Sequence, residues 1–229
     1  MGEPRLFVPA RGGGVTVRIW VDQRLAVAHL LDEVAQLLES ETTPDDAPAP
    51  APDPASDPAS EPAAAKDTWT AFEAALRVDP PQDPALARLL PDGHREDGDL
   101  AQGYRRLTER SLRSHKRDAA TGAAAALRRP DPVTLTAAEA RALLTSLADA
   151  RLVLAERLGV RTEEDSEQLW HDLERLEAEL PQLPEDDPQW DWARAVATYE
   201  ALAWWQQQLV GALPIGRPGR GAGAGDPAD

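Results

Sequence analysis

A mainly α fold is the class this sequence predicts: an irregular multi-helix bundle with a minor two-stranded β ladder and a disordered acidic insertion. Three observations carry the prediction. Apolar residues recur at three- and four-residue spacing over most of the chain. Two β-rich pieces, "VTVRIWV" at Val15–Val21 and Val133-Thr134-Leu135, each lead directly into such a run. One stretch, Ser40 to Lys66, holds seven prolines, six acids and one basic residue, with no large apolar side chain.

Residues 1–14 contain Gly12-Gly13-Gly14 and no apolar periodicity, and are expected to be a flexible N-terminus. Residues 15–39 supply a strand and a helix. In the strand Val15, Val17 and Ile19 alternate with Thr16, Arg18 and Trp20. Asp22 is placed to cap the helix, whose apolar stripe is Val27, Leu30, Leu31, Val34, Leu37 and Leu38. Residues 40–66 cannot bury enough surface to offset their chain entropy, which makes them a disordered insertion rich in Pro, Ala and Asp. Residues 67–213 form the helical core.

That core opens with a short amphipathic helix carrying Trp69, Phe72, Ala75 and Leu76 and stopping before Pro80-Pro81. Asp83 then caps one or two turns with Pro84 at the first helical position. A longer helix runs from about Asp97–Asp99 to Ala120 or beyond. Thr136 and Glu139 form a capping box for a helix that ends at Leu158-Gly159. Thr162 caps another, to about Leu180, with Glu163, Glu164 and Asp165 matched to its dipole. A last helix spans about Gln189 to Leu213. Residues 214–229 are a Gly/Pro-rich tail, expected to be disordered. The pieces at Val15 and Val133 are expected to pair as a ladder lying on helices.

Composition narrows function. The chain has 229 residues, a formal net charge of −16 and no cysteine. Disulfides, thiolate metal sites and thiol redox sensing are thereby absent. A sequence pI near 4.6 disfavours non-specific contact with nucleic acid. No apolar h-region opens the chain and no 18-residue apolar run follows, so a soluble cytoplasmic protein without a membrane partner is expected. No catalytic, cofactor-binding or metal-ligating constellation emerges. Glu167, His171 and Glu174 share one helix face, but no second carboxylate–His pair accompanies them. His29, His94, His115 and His171 lie on separate segments, and no phosphate-binding loop sits between a strand and a helix. Oligomeric state is not legible.

Against this acidic background, Arg105, Arg106, Arg110, Arg113, Lys116 and Arg117 crowd into fourteen residues with one acid, Glu109. They are the candidate partner-binding residues. Arg106, Arg110, Arg113 and Arg117 fall within about 60° of arc at 100° per residue. Leu100, Tyr104 and Leu107 lie on the other side, so the arginines read as a solvated helix face, and an acidic protein surface suits them better than DNA. Arg151 interrupts the stripe Ala140, Leu143, Leu147, Leu154 and Leu158, and is a candidate for a buried ion pair with an acid of a neighbouring helix. Five of the seven tryptophans lie between 170 and 205. They are read as helix-packing residues, with interface anchoring the alternative.

The blocks "DPALARLLPDGHRED", "YRRLTERSLRSHK", "LADARLVLAERLGV" and "WWQQQLV" occur in an order that resembles an actinobacterial family of unknown function. Some of its members are described as an actinomycete oxidative-stress regulator (AosR). The resemblance covers most of Val15 to Leu213. It touches Pro84, Leu86, Leu89, Leu90, Pro91, Asp92, Tyr104, Arg105, Leu107, Arg151, Leu152, Arg157, Leu158 and Gly159, none of them an established catalytic residue. It implies a regulatory setting near cysteine-biosynthesis and protease-adaptor genes, with the transcription machinery among the partners. The family regulator's sensing resembles cysteine redox chemistry, which this chain lacks. The expectation is a non-enzymatic regulatory or interaction protein. The alternatives are a DNA-binding regulator using the basic helix 99–120, and an enzyme with a polar site near Arg151.

Overall fold

The computed structural model describes residues 5–40, 80–92, 98–184 and 186–213, apart from the side chains at 99, 101, 102, 104 and 106. The expected insertion beyond Ser40, the short helix at Trp69–Leu76 and the tail lie outside the described residues.

Among the described residues there are six α-helices and one small sheet. The helices are α1 (Val21–Ser40), α2 (Pro84–Leu89), α3 (Gly98–Leu127), α4 (Ala137–Leu158), α5 (Glu163–Glu177) and α6 (Pro188–Ala212). The strands are β1 (Phe7–Pro9), β2 (Val15–Val17) and β3 (Thr134–Leu135), in the antiparallel order β1-β2-β3.

The expected ladder is present: Val15 faces Leu135 and Thr16 faces Thr134. It gains a third strand that corrects the reading of residues 1–14. Phe7, Val8 and Pro9 pair with Val17, Thr16 and Val15. Gly12 and Gly13, with φ of 74° and 77°, turn the chain between the two strands. The glycine run is therefore the bend of a hairpin. A Cβ on Gly14 would lie 2.5 Å from the Leu135 carbonyl oxygen, so only glycine lets β2 approach β3 at this end.

α1 begins at Val21, which places Asp22 inside its first turn and not at the cap. Ser40, counted above with the insertion, ends this helix and donates to the Leu37 carbonyl at 2.9 Å. The other expected caps form. The Asp83 carboxylate accepts from the Ala85 and Leu86 amides, Thr136 and Glu139 make a reciprocal box, and so do Thr162 and Asp165. Gly159 closes α4 at φ 76°.

One core joins α1, α3, α4 and the second half of α6 to the sheet, through Leu31, Leu38, Leu127, Leu135, Leu147 and Leu202. Phe7 meets Trp205 edge-to-face at 6.2 Å, fastening β1 to α6. A smaller core holds α5 against the end of α4 and the first half of α6, through Leu169, Leu173, Val196 and Tyr199. No helix among the described residues is long and apolar enough to cross a membrane.

The α4 capping box carries a pH signature. The Arg129 side chain, the Thr136 backbone amide and the Thr136 hydroxyl hold the Glu139 carboxyl at about 2, against an ordinary 4.5. A depressed acid stabilises the fold above its unfolded value, and the contribution is lost as pH falls through the folded one. Wild type should therefore lose a contribution between about 4.5 and about 2 that Glu139→Gln never has. Thermal midpoints of the two proteins should differ at neutral pH and converge in acid. A gap that stays constant with pH would remove Glu139 from the account.

Candidate functional site

The basic segment lies in the first two-thirds of α3, and the helix is rotated relative to the expectation. Leu107 is 82% exposed and Leu100 50%, so the supposed packing side faces water. The inward side runs Arg105, Glu109, Arg113 and Lys116, then Ala120, Ala123, Ala124 and Leu127. These eight fall within about 100° of arc. The contact face of α3 is charged as far as Lys116 and apolar from Ala120 onward.

The charged part is internally matched. Glu109 accepts from Arg105 Nη1 at 2.6 Å and from Arg113 Nη2 at 2.8 Å. Arg105 also pairs with Asp92, in the loop after α2. Arg113 Nη1 donates to the Leu38 carbonyl at 2.9 Å, in the last turn of α1. Lys116 Nζ meets the buried Asp149 of α4 at 2.5 Å. Three cations thus oppose three carboxylates across α1, α3, α4 and the Asp92 loop. Burial acts to lower the Arg105 pKa, but its hydrogen bonds to Asp92 and Glu109 outweigh it and hold the value above the ordinary one.

The candidate partner-binding set therefore divides. Arg105, Arg113 and Lys116 are turned inward, and for Arg113 this corrects the expected place on a solvated face. Arg117 is half-exposed and pairs with Asp118 and, at 3.8 Å, with Glu39. Arg110 is exposed on the outward side. The Arg106 side chain lies outside the described residues.

Arg151 is half-buried between α4 and α6. Its guanidinium lies 4.9 Å from the centre of the Tyr199 ring, and Nη1 donates to Gln206 Oε1 at 3.3 Å. The expected acid is replaced by an amide and an aromatic face, because the groups of α6 at this level are Tyr199 and Gln206. No carboxylate forms an ion pair with Arg151 among the described residues. Such contacts are worth about 0.5–2 kcal/mol. Arg151→Met should therefore cost less than about 2 kcal/mol in denaturant unfolding. A larger loss would mean that the guanidinium holds something further.

Arg24 was not singled out by the sequence. It is 2% exposed. Nη1 donates to the Leu127 carbonyl at 2.7 Å and to the Arg129 carbonyl at 3.0 Å, while Nη2 meets Asp131 at 2.9 Å. The side chain caps the C-terminus of α3 from α1. Its only signal in sequence was its place one turn before Val27 and Ala28 on the buried stripe.

Two apolar features remain open. Trp20 is 81% exposed, with Val21 at 48% and Leu25 at 43%, at the start of α1. Near the other end of α1 lies a groove of about 400 Å³, walled by Leu30, Val34 and Leu37 of α1 and by Val153 and Leu154 of α4, with Arg157 at its rim. Glu167, His171 and Glu174 are exposed on α5, and no group of three or more His, Asp or Glu suited to a metal occurs among the described residues.

No curated protein and no solved structure matches this chain. A family model does, over residues 4–213, which takes in both cores, the sheet and the charged part of α3. The chain belongs to the family of the domain of unknown function DUF2017.

Proposed function

We propose that this chain is a non-enzymatic regulatory protein that works through protein contacts, with Trp20, Val21 and Leu25 as its docking patch. The exposure of Trp20 carries the reading. The residues before it, Val15, Val17 and Ile19, are buried, yet this ring stands 81% in water. Aromatic side chains bring about 150–250 Å² each to a contact, and tryptophan is enriched where binding energy concentrates. Arg18 and Asp22, both exposed, give the patch a charged rim. The oxidative-stress and cysteine-metabolism setting comes from the family resemblance. With no cysteine in the chain, a redox signal in that setting would reach it through a partner's chemistry. Direct DNA binding loses ground because Arg105, Arg113 and Lys116 already neutralise internal acids.

The test places a photo-cross-linking residue at Leu25, identifies the protein captured, and titrates that purified protein against wild type and Trp20→Ser. Both positions are exposed, so thermal stability should change by no more than about 0.5 kcal/mol. Affinity should fall roughly 30-fold, the loss of a ~2 kcal/mol hot spot. Equal binding by Trp20→Ser would refute the patch. Tight, sequence-selective DNA binding by the purified chain at physiological salt would refute the protein-contact reading.

A further inference from the structure

We propose that the outward face of α5, centred on Trp170, is a docking surface for a basic, arginine-bearing segment of another protein. This goes beyond the Trp20 patch in place and in chemistry. Trp20 adjoins α1, which packs in the larger core, whereas α5 packs in the smaller one.

Three observations converge. The first is the make-up of the face. Glu163, Glu167, Trp170, Glu174 and Glu177 fall within about 80° of arc at 100° per residue. All five are exposed, and no lysine or arginine shares that arc. Leu169 and Leu173, on the adjoining side of the helix, are buried in the smaller core and hold this face toward water.

The second is that the fold does not use these charges. Glu109 and Asp149 neutralise cations of α3, and Asp165 completes the cap of α5. Glu163, Glu167 and Glu177 form no ion pair among the described residues. Arg175, the base of the last turn, pairs with Asp172 instead. Glu174 has His171 beside it at 3.8 Å. The helix dipole accounts for Glu163 in the first turn and opposes Glu174 and Glu177 in the last. Glu163 repels Glu167 at i, i+4, and Glu174 repels Glu177 at i, i+3. These carboxylates therefore weaken the free helix, and a bound cation would offset that.

The third is the indole at the centre. Trp170 is 46% exposed. Trp205 is buried and Trp190 donates its indole N–H to the Pro184 carbonyl at 3.1 Å, whereas Trp170 makes no hydrogen bond among the described residues. An open indole attracts a cation, and a guanidinium suits it best because it stacks flat while its N–H groups reach carboxylates beside the ring. Glu167 and Glu174 stand about 4.5 and 6 Å along the axis on either side of Trp170. The face is about 21 Å long, room for roughly four turns of a basic helix. Phosphate-bearing partners are repelled by such a surface, which leaves a cationic protein segment as its occupant.

The probe is a fluorescent peptide of about 16 residues with arginine at every third or fourth position in an alanine background, titrated with the full chain at about 150 mM salt. It should bind, and its lysine counterpart should bind several-fold more weakly. Trp170→Ser, and separately Glu167→Gln with Glu174→Gln, should each weaken binding roughly tenfold. Glu33→Gln with Glu39→Gln, at two exposed positions of α1, removes the same net charge and should match wild type. Trp20→Ser should also match wild type, so the two surfaces stand or fall separately. Absence of binding at that salt would overturn the proposal. So would full affinity in Trp170→Ser, or an equal loss in the α1 control, which would reduce the effect to net charge. Self-association of wild type that Trp170→Ser abolishes would assign the face to a second copy and overturn the basic partner. In the free chain, Glu174→Gln with Glu177→Gln should melt no lower than wild type. A lower melt would show that these carboxylates serve the fold and would overturn the electrostatic case.

Discussion

Glu109→Met is expected to lower the thermal midpoint by roughly 6–20 °C. The carboxylate sits between Arg105 and Arg113 and is itself 8% exposed. Removing it leaves the inward Arg105 with Asp92 and Arg113 with only the Leu38 carbonyl, an uncompensated cation. Breaking a buried pair by deleting one member costs about 3–5 kcal/mol, and each kcal/mol shifts the midpoint of a chain this size by about 2–4 °C. The control is the triple change Arg105→Met, Glu109→Leu and Arg113→Met. It removes the charges together and should recover most of the loss, because a buried ion network is often no more stable than an apolar replacement of equal volume. Calorimetry of the three proteins decides the matter. If Glu109→Met melts within about 2 °C of wild type, the network is screened by water and contributes little.

Arg24→Met is the second large effect. It keeps the volume and removes the donors that serve the Leu127 and Arg129 carbonyls. A buried carbonyl left without a donor costs about 1–3 kcal/mol. The loss should be local before it is global. Amides in the last turns of α3, Ala123 to Leu127, should exchange faster, while those of α5 keep their rates. Arg24→Lys should recover only part of the stability, since one ammonium cannot reproduce the planar fork that reaches both carbonyls and Asp131. Unchanged exchange at the end of α3 in Arg24→Met would show that water can replace the cap.

Local signals in the sequence located the elements well and oriented one of them wrongly. The caps at Asp83, Thr136 and Thr162 and the stop at Gly159 were legible because each is a short-range chemical device with a fixed spacing. The β2–β3 pairing was legible from the repeated valine–threonine pattern. β1 was missed because it has three residues and lies before a glycine run that mimics a flexible end. On α3 the face was set from Leu100, Tyr104 and Leu107, at the front of the helix. Following the alanines at 120, 123 and 124 backward at three- and four-residue steps leads instead to Lys116, Arg113, Glu109 and Arg105. Arginine on a buried face looks like arginine on a wet one until its partners are known. Asp92 and Asp149 come from other elements, and nothing local marks them. The same holds for Arg151, whose Gln206 and Tyr199 are set by how α6 lies on α4. The Trp20 patch and the groove are properties of exposure, which one chain's periodicity does not report.

The Arg24 cap has a consequence for synthesis. Its acceptor at Leu127 lies 103 residues downstream, and Val15 waits still longer for Leu135. At about 5–20 residues per second, the ribosome leaves α1 without its packing partner for roughly 5–20 s. Throughout that interval Val27, Leu31, Val34 and Leu38 are without their packing partner, beside an arginine with no carbonyl to hold. The emerging chain that follows them is the acidic, proline-rich stretch, a poor template for strand pairing and a source of like-charge repulsion between neighbouring nascent chains. An acidic, proline-rich sequence thus separates an early apolar helix from its late partner, and its composition suits it to keeping that helix out of aggregates until α3 arrives.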